Sequence, residues 1–216
     1  MAKTKKLISD SVLYKLAGGS PDTSFPVDER DIWVQLEKIV NASFKLRHFD
    51  TTLNSGESIP EAAMIATYEG ITVTTFAEKS KSTLPITPIY LPKNMGIFQI
   101  YDPNYPDMPF IPFQRGQRGL LRTDELLNDC LGLISYEPKN NVIIYNRDLT
   151  TIGITAVTME LCVLDIAQYG VNDILPIPAD MEAQIEDELL KAFIWVTAES
   201  GVVNNFSNIN QTQPKQ

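Results

Sequence analysis

The chain has 216 residues, 44% of them apolar and 21% charged, with 18 basic side chains against 27 acidic ones and a net charge of −9. That balance excludes wholesale disorder, a collagen repeat and a disulfide scaffold, and folding a chain of this size buries roughly 72% of its unfolded surface. No apolar run reaches the ~20 residues of a membrane span, the acidity disfavours a dedicated nucleic-acid binder, and the basic start is broken by Ser9, Asp10 and Ser11 before a signal core develops.

Residues 7–17 predict a short helix, with Ile8, Val12 and Leu16 at four-residue spacing and Gly18-Gly19-Ser20-Pro21 as its stop. A second helix is expected from Asp28, an N-cap residue followed by Asp31, with Val27 and Ile32 in staple positions. It should run to about Arg47. Ile32, Trp33, Leu36, Ile39, Val40, Phe44 and Leu46 fill an arc of about 160°, wide enough for more than one neighbour. Residues 50–60 read as loop. Ala63 to Phe76 reads as extended chain, with β-branched residues after a turn or bulge at Glu69-Gly70.

Residues 85–112 hold half of the 14 prolines, so no regular helix runs through them. Gly96–Tyr101 is the one stretch there that reads as a strand. The same segment carries Ile89, Tyr90, Leu91, Phe98, Tyr101, Tyr105, Phe110 and Phe113, which describes a stiff, extended arm that packs against something. Residues 119–131 read as helix. Asn140-Asn141 predicts a hairpin turn between Leu133–Tyr136 and Val142–Tyr145. Ile154–Leu164 is a strand in which Thr155, Val157, Met159, Leu161 and Val163 alternate with mostly smaller or polar residues. The last helix is expected from Pro178, with Met181, Ile185, Leu189, Phe193 and Val196 in one stripe. After Gly201 a polar Asn/Gln tail holds Val202, Val203, Phe206 and Ile209.

The charge is unevenly placed. Residues 159–199 carry nine acids against Lys191 alone, a balance of −8 that is nearly the whole net charge. Lys3, Lys5 and Lys6 make the N-terminus basic, and Arg115, Arg118 and Arg122 make residues 113–123 +3 with no acid among them. The carboxylates Asp180, Glu182, Glu186, Asp187 and Glu188 are numerous enough to raise glycoside hydrolysis or calcium binding. On a helix they point in several directions, which favours a solvated or field-generating face. The arginine segment, Gln114 to Arg122, has glycines that admit close backbone approach and guanidinium groups that fork onto carboxylates. Its readings are an ordinary surface loop, a DNA contact that the acidity opposes, and a loop docking on the acidic helix of a neighbouring copy. Trp33 and Trp195 read as core first and interface anchors second; Phe206, the aromatic residue of the polar tail, reads as a residue ordered by a partner.

No phosphate loop, dinucleotide-binding glycine pattern or nucleophile elbow is present. His48 beside Asp50 reads as a helix-end histidine rather than a base. With one histidine and two cysteines, Cys130 and Cys162, the chain cannot supply a structural zinc site of about four Cys/His ligands, and both thiols read as buried and reduced. No catalytic, metal-binding or cofactor-binding residues are assigned.

Three stretches carry a resemblance: Pro92-Lys-Asn-Met-Gly-Ile-Phe-Gln-Ile-Tyr-Asp-Pro, Phe110-Ile-Pro-Phe-Gln-Arg-Gly-Gln and Leu175-Pro-Ile-Pro-Ala-Asp-Met-Glu. They resemble small virion proteins of podoviruses that infect Bacteroidetes, the crAss-like phages among them, and specifically their head–tail connector, or neck ring, proteins. The resemblance implies a non-enzymatic structural protein in the virion neck, made in the bacterial host's cytoplasm. It implies a homo-oligomeric, dodecameric ring whose partners are its own copies, the portal protein and other connector or tail proteins. DNA would pass without sequence-specific binding, with no membrane contact and no cofactor. The subunit-interface residues are then Arg115, Arg118 and Arg122 set against Glu182, Glu186, Asp187 and Glu188, with Phe110, Phe113, Trp195 and Phe206 as apolar anchors. The other readings are a different tail or virion component, a β-sandwich module that binds glycans and, further off, a carboxylate-dependent hydrolase.

The expected fold is α+β: N-terminal helices, a mostly antiparallel β core with a proline-rich extended arm, and a C-terminal helix with a polar tail. The expected organisation is a single domain over 1–216 with extensions. It comprises a helical region at 1–50, a β-rich core at 61–170 that includes the arm at 85–113, a helix at 177–198 and a tail at 199–216.

Overall fold

The computed structural model describes residues 3–21, 25–56, 60–92, 95–113 and 134–199. The chain forms two compact units, one from residues 1–50 with 164–216 and one from residues 51–163.

The first unit is built on helices. α1 (Lys5–Ala17) starts where the Thr4 side chain accepts a bond from the Leu7 amide at 3.2 Å. It stops at Gly18, whose left-handed φ of 65° lets the Gly18 and Gly19 amides close on Lys15 and Tyr14 carbonyls. α2 (Glu29–Ser55) follows directly on Asp28, and its buried stripe is Ile32, Leu36, Val40 and Phe44. It is eight residues longer than expected, because the mostly polar stretch Asp50–Asn54, with no glycine or proline, does not end a helix that is already propagating. Gly56, at a φ of 72°, follows its last turn. α3 (Glu182–Glu199) packs against α1 and buries Ile185, Leu189 and Phe193, with Met181 buried just before its first turn, at the expected spacing. It begins after Pro178 rather than at it: the Pro178 carbonyl accepts a bond from the Met181 amide in a preceding turn.

The N-terminal strand-like residues tie α1 down. The Lys6 amide bonds to Val171, the Leu175 amide bonds to Lys3, and Thr4 bridges Ile174. Asn41 on α2 holds both polar groups of Leu164, donating to its carbonyl at 3.1 Å and accepting from its amide at 2.7 Å.

The second unit holds two sheets. One has the order β1 (Ile65–Thr72), β8 (Ala156–Cys162), β4 (Ile97–Tyr101), and both pairings are antiparallel. The other has the order β2 (Thr74–Phe76), β3 (Lys79–Thr83), β7 (Val142–Tyr145), β6 (Ser135–Lys139), β5 (Ile111–Pro112); only the short β5–β6 pairing is parallel. Val157, Met159, Leu161 and Ile100 from the first sheet share one core with Tyr136, Ile143 and Tyr145 from the second. The bulge expected at Glu69-Gly70 is present, as a register shift between Tyr68 and Ile71 with Gly70 at a φ of 68°. The hairpin turns at Asn140, which takes a φ of 55°. Pro138 is tolerated in β6 because β5 pairs only with Ser135 and Tyr136, so the outer edge at Pro138 has no ladder partner in β5.

The proline-rich segment packs on its own unit. Leu84, Leu91, Ile97, Ile100 and Phe110 are buried. β4 lies at the edge of its sheet, where flanking prolines do no damage. Gly96 is required: a Cβ there would collide with the Ile89 carbonyl oxygen. The architecture is therefore α+β, with N-terminal helices, antiparallel sheets and a C-terminal helix. The helix expected over 119–131 lies outside the described residues.

Candidate functional site

The carboxylates of α3 follow from helical spacing. Glu182 and Glu186, four residues apart, share a face with the buried stripe, while Asp187 is turned outward. Glu186 is only 6% exposed. Its two oxygens are taken by Lys3 and by Lys15, the latter at 2.7 Å, and Ser11 lies at 3.5 Å. Burial pushes the Glu186 carboxyl up. The hydrogen bonds and charges of Lys15 and Lys3 outweigh it and hold the group below its ordinary value of 4.5. Glu182 stands 3.9 Å from Lys3.

The other acids of the segment have separate duties. Asp180 pairs with Arg47 at 2.6 Å, and the bond from that guanidinium is the main reason its carboxyl is held down. Asp165 accepts from the Ala167 amide at 3.0 Å and Asp173 from the Gly170 amide at 2.7 Å, each fixing a turn. Glu160, on β8, accepts from Gln99 at 2.8 Å and from the Tyr101 hydroxyl at 3.2 Å. Glu188 accepts from Gln184 at 3.2 Å, and Asp187 is exposed. Glu182 and Glu186 thus meet at one ammonium, that of Lys3, while Asp165, Asp173 and Asp180 have separate partners.

The structure sorts the expected interface residues. Glu186 is consumed by lysines of its own chain, and Phe110 by its own core: it is 5% exposed and meets the Tyr145 ring edge-on, with centroids 5.9 Å apart. Neither offers surface to a neighbouring copy. Phe113 is half-buried, its amide bonded to Tyr136 at 2.7 Å. Glu182, Asp187 and Glu188 stand on the first two turns of α3; Asp187 is exposed, and Glu182 and Glu188 are half-buried. Trp195 lies on α3, with its side chain outside the described ones. Arg115, Arg118, Arg122 and Phe206 lie outside the described residues.

His48 is buried within α2, its ring against Phe49 with centroids 6.3 Å apart, and is not at the helix end. The Cys162 thiol is buried and donates towards the Met95 carbonyl at 3.2 Å; burial pushes it up to about 12. An unreactive thiol follows. Among the described residues no three His, Cys, Asp or Glu side chains gather as metal ligands, and no helix is long and apolar enough to cross a membrane.

One feature escapes sequence reasoning altogether. In the second unit a groove of about 360 Å³ opens between the proline-rich segment and the β6–β7 hairpin, lined by Leu84, Pro88, Leu91, Ile97 and Pro138. Tyr90 stands on its rim with 79% of its surface exposed. The groove exists because Gly96 lets the Pro88–Ile89 backbone press onto β4, a long-range approach that no local pattern encodes. No protein-family model matches this chain, and no curated protein matches it either.

Proposed function

We propose that the chain is a non-enzymatic structural protein of a phage virion, a ring subunit in the head–tail connector that joins portal to tail and lets DNA pass. The observation that supports this reading is the separation of charge along the chain. Arg115, Arg118 and Arg122 form an acid-free basic segment, while α3 carries the exposed Asp187 and the half-buried Glu188. Copies in a ring meet head to tail, so each needs two unlike, complementary surfaces. An arginine segment meeting an acidic helix meets that need, and forked guanidinium bonds to carboxylates give it direction. The remaining negative charge, out of a net −9, repels DNA phosphates and leaves DNA free to slide. The dodecameric copy number and the portal partner come from the sequence resemblance.

The test is charge reversal. Arg118→Glu with Arg122→Glu should abolish ring assembly on portal protein, as read by native mass spectrometry, and Asp187→Lys with Glu188→Lys should restore it. Rings that form normally from the arginine variant would overturn the contact. Failure of the unaltered chain to bind portal protein in a pull-down would overturn the connector reading itself.

A further inference from the structure

The groove in the second unit has a counterpart on the same unit. Beyond β4 the chain makes the loop Asp102–Pro109, which carries three prolines. Its shape is fixed by its own bonds. The Asp102 carboxylate accepts from the Asn104 amide at 3.0 Å and from the Asn104 side chain at 2.9 Å. The Tyr105 amide closes on Asp102 at 2.8 Å, the Met108 amide closes on Tyr105 at 3.1 Å, and the Phe110 amide seals the base on Ile100 at 2.7 Å. On this stiff knob Tyr105 is 63% exposed and Met108 66%. Large apolar side chains held out on a rigid turn lose little entropy on binding.

The groove and the knob lie at opposite ends of one strand. Ile97, the first residue of β4, lines the groove, and the knob begins directly after Tyr101, the last. Four strand steps separate them by roughly 13 Å, so β4 holds the knob away from its own groove. Charge matches as well. Asp107 is exposed on the knob, and Lys139 is exposed beside the groove residue Pro138; among the described residues neither has an ion-pair partner. We propose that the Tyr105–Met108 knob of one copy seats in the apolar groove of the next copy, with Asp107 meeting Lys139. This rests on the reading of the chain as a ring subunit. It names a head-to-tail contact distinct from the arginine–carboxylate pair. A knob and a groove at the two ends of a strand form a heterologous joint, the type that closes into rings. Tyrosine seated in a dry apolar pocket is the side chain expected to anchor it.

The experiment uses the full chain, as an equal mixture of ¹⁴N- and ¹⁵N-labelled copies with a photo-crosslinking benzoylphenylalanine in place of Tyr105, with and without portal protein. Mixed-isotope crosslinks to residues 84–97 or 138–141 are expected. Crosslinks elsewhere, or only within one copy, overturn the contact. In parallel, Asp107→Lys and Lys139→Glu should each weaken self-association about tenfold, and the two together should restore it. A double variant as weak as the singles overturns it too. If rings form undiminished from Tyr105→Ser with Met108→Ser, this joint is wrong and the ring reading stands. If the unaltered chain never self-associates, with or without portal protein, the ring reading falls and the joint falls with it.

Discussion

Glu186 shows how one side chain can be a stabilising element instead of an interface. Its carboxylate is enclosed by Lys3 and Lys15, and removing the charge takes the acid away from Lys15 and leaves Lys3 with the longer contact to Glu182 alone. Glu186→Gln should therefore cost about 1–3 kcal/mol, at the lower end because Lys15 is partly solvated, measured by urea unfolding at neutral pH. Because the folded carboxyl is held below 4.5, the group contributes its full stabilisation above that pH. The contribution is lost as the pH falls through the folded value. Glu186→Gln should flatten that part of the acid limb of the stability curve, and an unchanged acid limb would show that the pairing contributes nothing. The acid at 186 was legible from the sequence, but its partners were not. Lys3 and Lys15 lie 183 and 171 positions away, and only the packing of α1 on α3 brings them together. The same limit applied to Phe110, whose aromatic ring reads as an anchor until Tyr145 is seen against it.

Elements with strong local signals were legible. α1 ends at its glycines, the stripe of α3 lies where the four-residue spacing puts it, and the alternating Val157, Met159 and Leu161 of β8 are all buried, with Thr158 and Cys162 buried beside them. β3 was not legible, for a specific reason. Its inward residues are Ser80 and Ser82, both buried, so the apolar alternation that marks a strand is missing. Hydrogen bonds replace it: Ser80 donates to Asp148 at 2.8 Å and accepts from the Leu149 amide at 2.9 Å, and Ser82 shares a 2.7 Å bond with the Tyr145 hydroxyl. The turn leading into β3 is also unusual. Ala77 and Glu78 adopt φ values of 45° and 62°, a geometry that normally selects Asn-Gly. Ala77→Asn with Glu78→Gly should raise stability by about 1 kcal/mol, read as a higher urea midpoint. A midpoint that stays or falls would mean that the turn stores no strain.

At the scale of the molecule, the division into two units follows no break in composition. The groove came from the same kind of long-range contact, whereas the separation of charge was visible at once. One consequence of the division concerns time. The second unit is a single continuous segment, 51–163, whereas the first is interrupted by it. During synthesis the β unit has all its strands as soon as Val163 emerges. α1 must then wait for Val171, Leu175 and Glu186, which supply its tethers. A fragment ending at Val163 should keep slow amide exchange in β1 and β8 and lose it in α1; equal protection of α1 in fragment and full chain would refute this order. Nascent chains would thus carry a finished sheet unit beside helices still awaiting their last partner. The knob and groove proposed to join copies would therefore be complete first, and the acidic helix last.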